Sequence, residues 1–148
     1  MERVVAFFTI QALATVYALV RGGAPERMVG ASLLAASGIG WTLQTPFGQR
    51  FYGVEYGVLA VDLVLAIVLV AIALAADRFW TLWLAAMQLL GLGSHLVRVV
   101  EPGFARTAYA VLLAGWSYPM LLILVLGTAR HVRRVSRTGF DVAWTPRN

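Results

Sequence analysis

Five apolar stretches follow one another along the chain, and only short polar breaks separate them. They cover residues 4–20, 28–43, 54–76, 79–100 and 105–129. A helix needs about 20 predominantly apolar residues to cross the hydrocarbon core of a bilayer. The pattern therefore predicts an all-α integral membrane protein, a bundle of about five transmembrane helices with short loops, because helices satisfy their backbone hydrogen bonds internally in lipid.

The breaks between the stretches contain charged residues, glycine or proline, which are typical of helix ends. Three of these breaks lie at residues 21–27, 77–78 and 101–103. A fourth break, 44–53, contains proline, glycine and aromatic residues and is typical of an interfacial loop. The predicted transmembrane helical domain is 1–129, and 130–148 is a basic tail too short to build a domain of its own.

Two of the stretches permit an alternative interpretation. Residues 28–43 are few and rich in glycine, alanine and serine, so a re-entrant segment with four spans elsewhere is the alternative to five. The first stretch also resembles the apolar core of a signal peptide, but no convincing cleavage site precedes Arg21.

The composition of the chain also indicates that much of the protein surface lies in lipid. The chain is 60% hydrophobic and 13% charged, whereas soluble domains are about 45–50% apolar and roughly 25% charged. The absence of cysteine excludes disulfides, thiolate nucleophiles, iron–sulfur clusters and cysteine-bound zinc.

All twelve basic residues are arginine, and their distribution predicts the orientation. With a cytoplasmic C-terminus, eight lie on the inner side: Arg21, Arg27, Arg78, Arg130, Arg133, Arg134, Arg137 and Arg147. Four lie on the outer side: Arg3, Arg50, Arg98 and Arg106. The positive-inside rule favours this arrangement, with the N-terminus in the periplasm. Arginine used to the exclusion of lysine is typical of a GC-rich genome, so we expect a multi-pass protein of the bacterial inner membrane.

The arginines of the tail predict an anchor. Arg130, Arg133, Arg134 and Arg137 follow the last apolar stretch and would hold the helix end against anionic lipid headgroups. Docking of a cytoplasmic partner is the alternative. The scattered positions of the other arginines argue against a nucleic-acid-binding face.

Small residues predict where helices pack closely. Ser32, Ala36 and Gly40 are spaced by four residues in the second stretch, and Gly53 and Gly57 repeat that spacing where the third helix begins. Such faces serve internal packing or association between copies of the chain.

Pro119 predicts a kink in the fifth stretch, because it cannot donate a backbone hydrogen bond.

Polar side chains inside the apolar stretches form the one candidate site. Asp62 lies in the third helix, and His95 and Arg98 share a face of the fourth. Three further residues fall at a similar depth in the outer half of the bilayer: Gln11, Trp41 and Gln44. Charged residues in membrane helices face protein or water. The layer is therefore either a structural Asp62–Arg98 ion pair or a polar cavity for an ion, proton or small polar ligand. As a third possibility, Arg98 extends to the interface.

The sequence has no motif for catalysis or metal binding. A phosphate-binding glycine loop, HExxH and GxSxG are all missing, and Ser94 and His95 are neighbours that do not face each other on a helix. We predict no metal and no cofactor. A haem or pigment held by His95 alone, or between two copies, is the exception left open, because His131 lies at the opposite face.

These observations predict a non-catalytic structural or accessory subunit of a membrane complex or homo-oligomer. The expected partners are the lipid bilayer and other membrane subunits or copies of the chain, without nucleic acid. The alternative is a small transporter or channel that uses the outer polar layer around Asp62, His95 and Arg98.

Overall fold

The computed structural model describes residues 2–44, 55–100, 111, 115–141 and 143–144, with the backbone alone for Arg3, Arg98 and Val99. This part of the chain is all-helical and contains five long helices. They are α1 (Glu2–Arg21), α2 (Ala24–Leu43), α3 (Tyr56–Ala75), α4 (Phe79–Val100) and α5 (Ser117–Thr138). Within the described residues, extended pairing is limited to one isolated bridge between Ala76 and Trp144.

Two helices have bounds that differ from the apolar stretches that predict them. α2 begins at Ala24 rather than 28, with Pro25 in its first turn, where a missing N–H has no consequence. α5 continues past residue 129 to Thr138, because arginine is a good helix former. Gly139 ends it in a left-handed conformation (φ 78°) and donates its N–H to Val135 O.

The five helices form a ring. Consecutive helices α1 to α4 contact one another, and α5 packs against α4, α1 and α2. The α1–α2 turn, the α3–α4 turn and the last residues of α5 lie together, and we call this side the turn end. The starts of α1, α3 and α5 lie at the opposite side, the N-terminal end.

The middle of the ring is filled by apolar side chains. Leu69, Leu84 and Leu124 are among its most buried residues and come from three different helices. Trp80 packs directly on the backbone of Gly127, where a Cβ atom would lie 2.7 Å from the indole. The interior toward the turn end is therefore closely packed.

The outside of the bundle exposes many large apolar side chains, among them Leu13, Val64, Ile67, Leu74 and Leu122. Three helical segments are long and apolar enough to cross a membrane: Val4–Arg21, Tyr56–Ala75 and Phe79–Val97. α2 carries Glu26 and Arg27, and α5 ends in arginines, which lowers the hydropathy of both. The fold is thus compatible with a membrane protein, and the number of crossings stays a prediction.

Candidate functional site

Asp62 of α3 is held by two residues of α4. Its Oδ2 accepts a hydrogen bond from His95 Nε2 at 3.0 Å, in the tautomer or charge state that protonates this nitrogen. Gln88 Nε2 donates to Asp62 O at 3.1 Å and to Oδ1 at 3.3 Å. Gln88 and His95 are two turns apart on α4 and therefore share a face. The imidazole is fully buried, whereas 26% of the Asp62 side chain stays exposed.

A second polar group lies on the facing wall, between α1 and α2. Gln11 Nε2 donates to Leu33 O at 2.8 Å and to Ser37 Oγ at 2.6 Å. Ser37 in turn donates to Leu33 O. Gln11 is 1% exposed, and its Oε1 has no hydrogen-bond partner among the described residues. A buried acceptor left in this state costs about 1–3 kcal/mol.

A cavity of about 550 Å³ separates these two polar groups. Its lining comes from all five helices and includes the polar residues Gln11, Ser37, Gln44, Glu55, Asp62 and Gln88. Gly40 also lines it, and a Cβ atom at this buried glycine would meet nothing within 4 Å. The volume falls within the range of about 300–1,000 Å³ typical of pockets for small organic ligands.

Aromatic rings line the cavity toward the N-terminal end of the bundle. Phe7 contacts Tyr118 edge-to-face with ring centroids 5.3 Å apart, and Phe8 contacts Trp41 in the same way at 5.7 Å. Edge-to-face pairs of this kind add a stabilising interaction to that of the buried area, and they favour one relative position of the two rings. The aromatic wall is therefore fixed by contacts between α1, α2 and α5.

The charged side chains on the described wall of the cavity are acidic. Among the described residues that line it, the charged ones are Asp62 and Glu55, and none is basic.

The predicted polar residues are partly brought together. Gln11, Trp41, Gln44 and Asp62 line the cavity. His95 contacts Asp62 but is not itself among the lining residues.

Arg98 lies in α4, and its side chain falls outside what the structure describes, so the Asp62–Arg98 ion pair stays a prediction. Gln88 is the residue that sequence reasoning left out. Its position two turns before His95 was the available signal, because both then face Asp62.

The predicted packing residues have different surroundings. Ala36 and Gly40 line the cavity, and Ser32 Oγ donates to Met28 O within α2. Gly57 lets α3 approach the end of α2, since a Cβ atom there would lie 3.0 Å from Leu43 Cβ. Gly53 lies outside the described residues.

Pro119 lies in the first turn of α5, which begins at Ser117. The backbone nitrogens of a first turn need no acceptor within the helix, so proline is tolerated there.

A second group of charged residues, the turn-end charge cluster, consists of Glu26, Arg78, His131, Arg134 and Asp141. Asp141 is its centre: Oδ2 lies 2.7 Å from the guanidinium of Arg78 and 2.6 Å from His131 Nδ1. Its Oδ1 lies 3.2 Å from Arg134 Nε. Glu26 is fully buried, with Oε1 3.7 Å from Arg78 Nε. Both carboxylates are therefore matched by basic groups.

The chain reaches this cluster by turning back after α5. The left-handed Gly139 reverses the backbone, and Asp77 N donates to Ala143 O at 3.4 Å beside the Ala76–Trp144 bridge. The described residues after Thr138, 139–141 and 143–144, are thus held against the α3–α4 turn.

The sequence interpretation assigned Arg78 and Arg134 to orientation and lipid anchoring. It missed their pairing with Glu26 and Asp141, although all four positions fall on one predicted side of the membrane. The other predicted anchors, Arg130, Arg133 and Arg137, are exposed on α5.

The chain matches no protein-family model, and no curated protein sequence or solved structure is detectably similar to it. Within the described residues there is no group of three or more acidic or histidine side chains that could hold a metal ion. The Asp62–His95 pair beside the cavity is consequently interpreted from its own chemistry.

Proposed function

We propose that this protein is a small multi-pass membrane transporter that binds its substrate in the cavity beside Asp62. The observation that carries the proposal is the cavity of about 550 Å³, with Gln11 on one wall and Asp62 on the other. A pocket of this size with a few convergent polar groups is the usual form of a small-molecule site.

The polar side chains of Asp62 and Gln11 lower the stability of the bundle, so they would be unfavourable if their role were only to pack helices together. An ionisable residue within a membrane helix is costly and usually marks a substrate or ion pathway. Asp62 remains partly exposed, although His95 and Gln88 contact it. Gln11 Oε1, which has no hydrogen-bond partner among the described residues, adds a further free-energy cost. Apolar residues at both positions would give a more stable bundle, so we attribute the polar ones to function.

The closed side of the bundle fits a transporter better than a channel. Beyond the cavity, Leu69, Leu84 and Leu124 fill the interior, and the turn-end charge cluster follows. A channel needs a continuous polar path, and this packing offers none through the described residues. Transport would require the turn end to open while the cavity end closes.

In this proposal the turn end faces the cytoplasm and the cavity faces the periplasm of a bacterial inner membrane. Five crossings by α1 to α5 place the two chain termini on opposite sides, in agreement with the arginine distribution. No catalytic role is proposed.

Native mass spectrometry of the gently solubilised particle tests this function. We expect a monomer or homo-oligomer that carries a small-molecule adduct. Gly40→Leu, which places a side chain in open space within the cavity, should remove the adduct. Asp77→Asn, at an exposed aspartate in the α3–α4 turn, is the matched control and should retain it.

A different result would favour the function predicted from the sequence, an accessory subunit of a membrane complex. A heavier particle that contains other polypeptides and no small molecule would contradict the transporter proposal. It would also indicate that the Asp62 contacts serve assembly.

A further inference from the structure

We infer that the cavity takes an organic ammonium ion, a protonated amine attached to a small apolar or aromatic body. This inference rests on the proposed function, that the cavity binds a small molecule. It is carried by the kind of polar atom on each wall and by the aromatic lining.

The groups opposite one another are hydrogen-bond acceptors. Asp62 presents a carboxylate whose Oδ1 has one long contact, to Gln88 at 3.3 Å. On the other wall, Gln11 uses both N–H groups of its amide within the protein, and its Oε1 has no donor among the described residues. An ammonium group carries only donors. It therefore matches the two acceptors on the facing walls, Asp62 Oδ1 and Gln11 Oε1.

The sign of the charge selects a cation. Asp62 is acidic, and no described lining residue is basic. In surroundings of low dielectric constant, a carboxylate attracts a cation and repels an anion much more strongly than in water. A ligand that carries a carboxylate would be excluded for the same reason, because Asp62 would repel it.

The aromatic rings supply the remaining recognition. Phe7, Phe8, Trp41 and Tyr118 line the same cavity as Asp62. Ring faces attract ammonium groups, and their apolar surface accepts the body of the ligand. An inorganic cation would use the carboxylate and leave most of this wall without a partner.

Three probes with the same apolar body and different charge test the inference: 2-phenylethylammonium, 2-phenylethanol and 3-phenylpropanoate. Affinities are measured by calorimetry on the full chain in phospholipid nanodiscs at pH 7, with empty nanodiscs subtracted. We expect the ammonium to bind at least about tenfold more tightly than the alcohol, since the ammonium adds a charge–charge attraction to Asp62 that the alcohol lacks. The propanoate should not bind.

Variants at Asp62 test whether the preference for the ammonium probe depends on the charge of this carboxylate. Asp62→Asn should weaken the ammonium by about tenfold or more and leave the alcohol unchanged. Asp62→Glu keeps the carboxylate and should retain the preference for the ammonium, which also guards against loss of binding through misfolding. Asp77→Asn should bind all three probes as the unmodified chain does.

The results that overturn the inference are distinct from those that overturn the proposed function. Equal binding of the alcohol or the propanoate, or an ammonium affinity unchanged in Asp62→Asn, would remove the preference for a cation but keep a ligand-binding cavity. Equal binding of the alcohol would also indicate that Arg98 neutralises Asp62. Binding of none of the probes would overturn the inference, and a native particle without an adduct would overturn the function as well.

Discussion

At the turn end of the bundle, Asp141 contacts Arg78, His131 and Arg134, and Arg78 also lies beside Glu26. At the other end, Asp62 contacts an imidazole and an amide, and part of its carboxylate faces a cavity. Both ends bury acidic side chains between helices. They differ in whether a described arginine pairs with the carboxylate and in whether a cavity lies beside it.

This difference separates a structural from a binding role. A buried carboxylate with basic partners on several sides holds segments of the chain together, and removal of one partner leaves an uncompensated charge. A carboxylate that contacts no described arginine and lies beside empty volume can accept a further partner. The turn-end charge cluster is therefore interpreted as a closure of the fold, and the Asp62 cavity as the site.

The largest expected effect is at Arg78. Arg78→Met removes the basic group between Glu26 and Asp141, all of which are nearly or fully buried. We expect the free energy of unfolding to fall by about 3–5 kcal/mol, the usual result of breaking a buried ion pair. Reversible denaturation in mixed micelles measures it. Arg130→Met, at an exposed arginine of α5, is the control and should change it by less than about 0.5 kcal/mol. Equal losses in the two variants would contradict a structural role for the cluster.

A smaller effect is expected where a methyl group is added to the packed half of the bundle. In Gly127→Ala, the new Cβ atom would lie 2.7 Å from Trp80, so the ring must move. Overpacking of this kind lowers the free energy of unfolding by about 1–3 kcal/mol. The same denaturation assay measures it, with tryptophan fluorescence to report on Trp80. An unchanged midpoint would show that this half is less tightly packed than described.

Asp62→Asn should affect stability less than it affects binding. Asparagine keeps one acceptor oxygen and replaces the other with an NH2 donor, so its side chain can accept from only one of Gln88 and His95. The bond from Gln88 to the backbone oxygen of residue 62 remains, so we expect a loss of about 0.5–1.5 kcal/mol, the net contribution of one ordinary hydrogen bond. Asp77→Asn serves as the control. A loss as large as that of Arg78→Met would place Asp62 in the same structural class as the turn-end charge cluster and would remove the contrast between the two ends.

The smallest effect has the opposite sign. Gly40→Ala adds a Cβ atom that meets nothing within 4 Å, in the interior of α2. We expect an increase of about 0.4–1 kcal/mol in the free energy of unfolding, because alanine restricts the unfolded chain. Comparison with Gly127→Ala in one assay then measures the difference in packing between the two halves. A decrease for Gly40→Ala would indicate that the cavity is filled.

The helices were accessible to sequence reasoning because each is a long apolar stretch ended by charged residues, glycine or proline. The end of α5 could not be predicted in this way. Apolar periodicity stops at residue 129, whereas the helix continues through Arg133 and Arg134 to Thr138. Helix formation there depends on backbone propensity and on Gly139, which hydropathy does not measure.

Sequence reasoning grouped several residues that line the cavity, but it did not specify which side chains contact Asp62. Asp62, Gln11, Trp41 and Gln44 were expected in one layer and line one cavity. Depth follows from position along a helix, which is a local property. The choice of Gln88 as a partner of Asp62 depends on the rotation of α4 against α3, which a single sequence does not specify.

By itself, the sequence predicted a helical chain with about five apolar stretches, because both properties depend on residues close together along the chain. In the described residues, three helices are long and apolar enough to cross a membrane. The tertiary structure alone decided which buried charges are neutralised and which face open space. Glu26, Arg78 and Asp141 come from three separate turns, and Gln11 and Asp62 come from opposite walls of the ring. Their distances are set by how helices pack across the bundle, and this packing depends on the shape of every side chain between them.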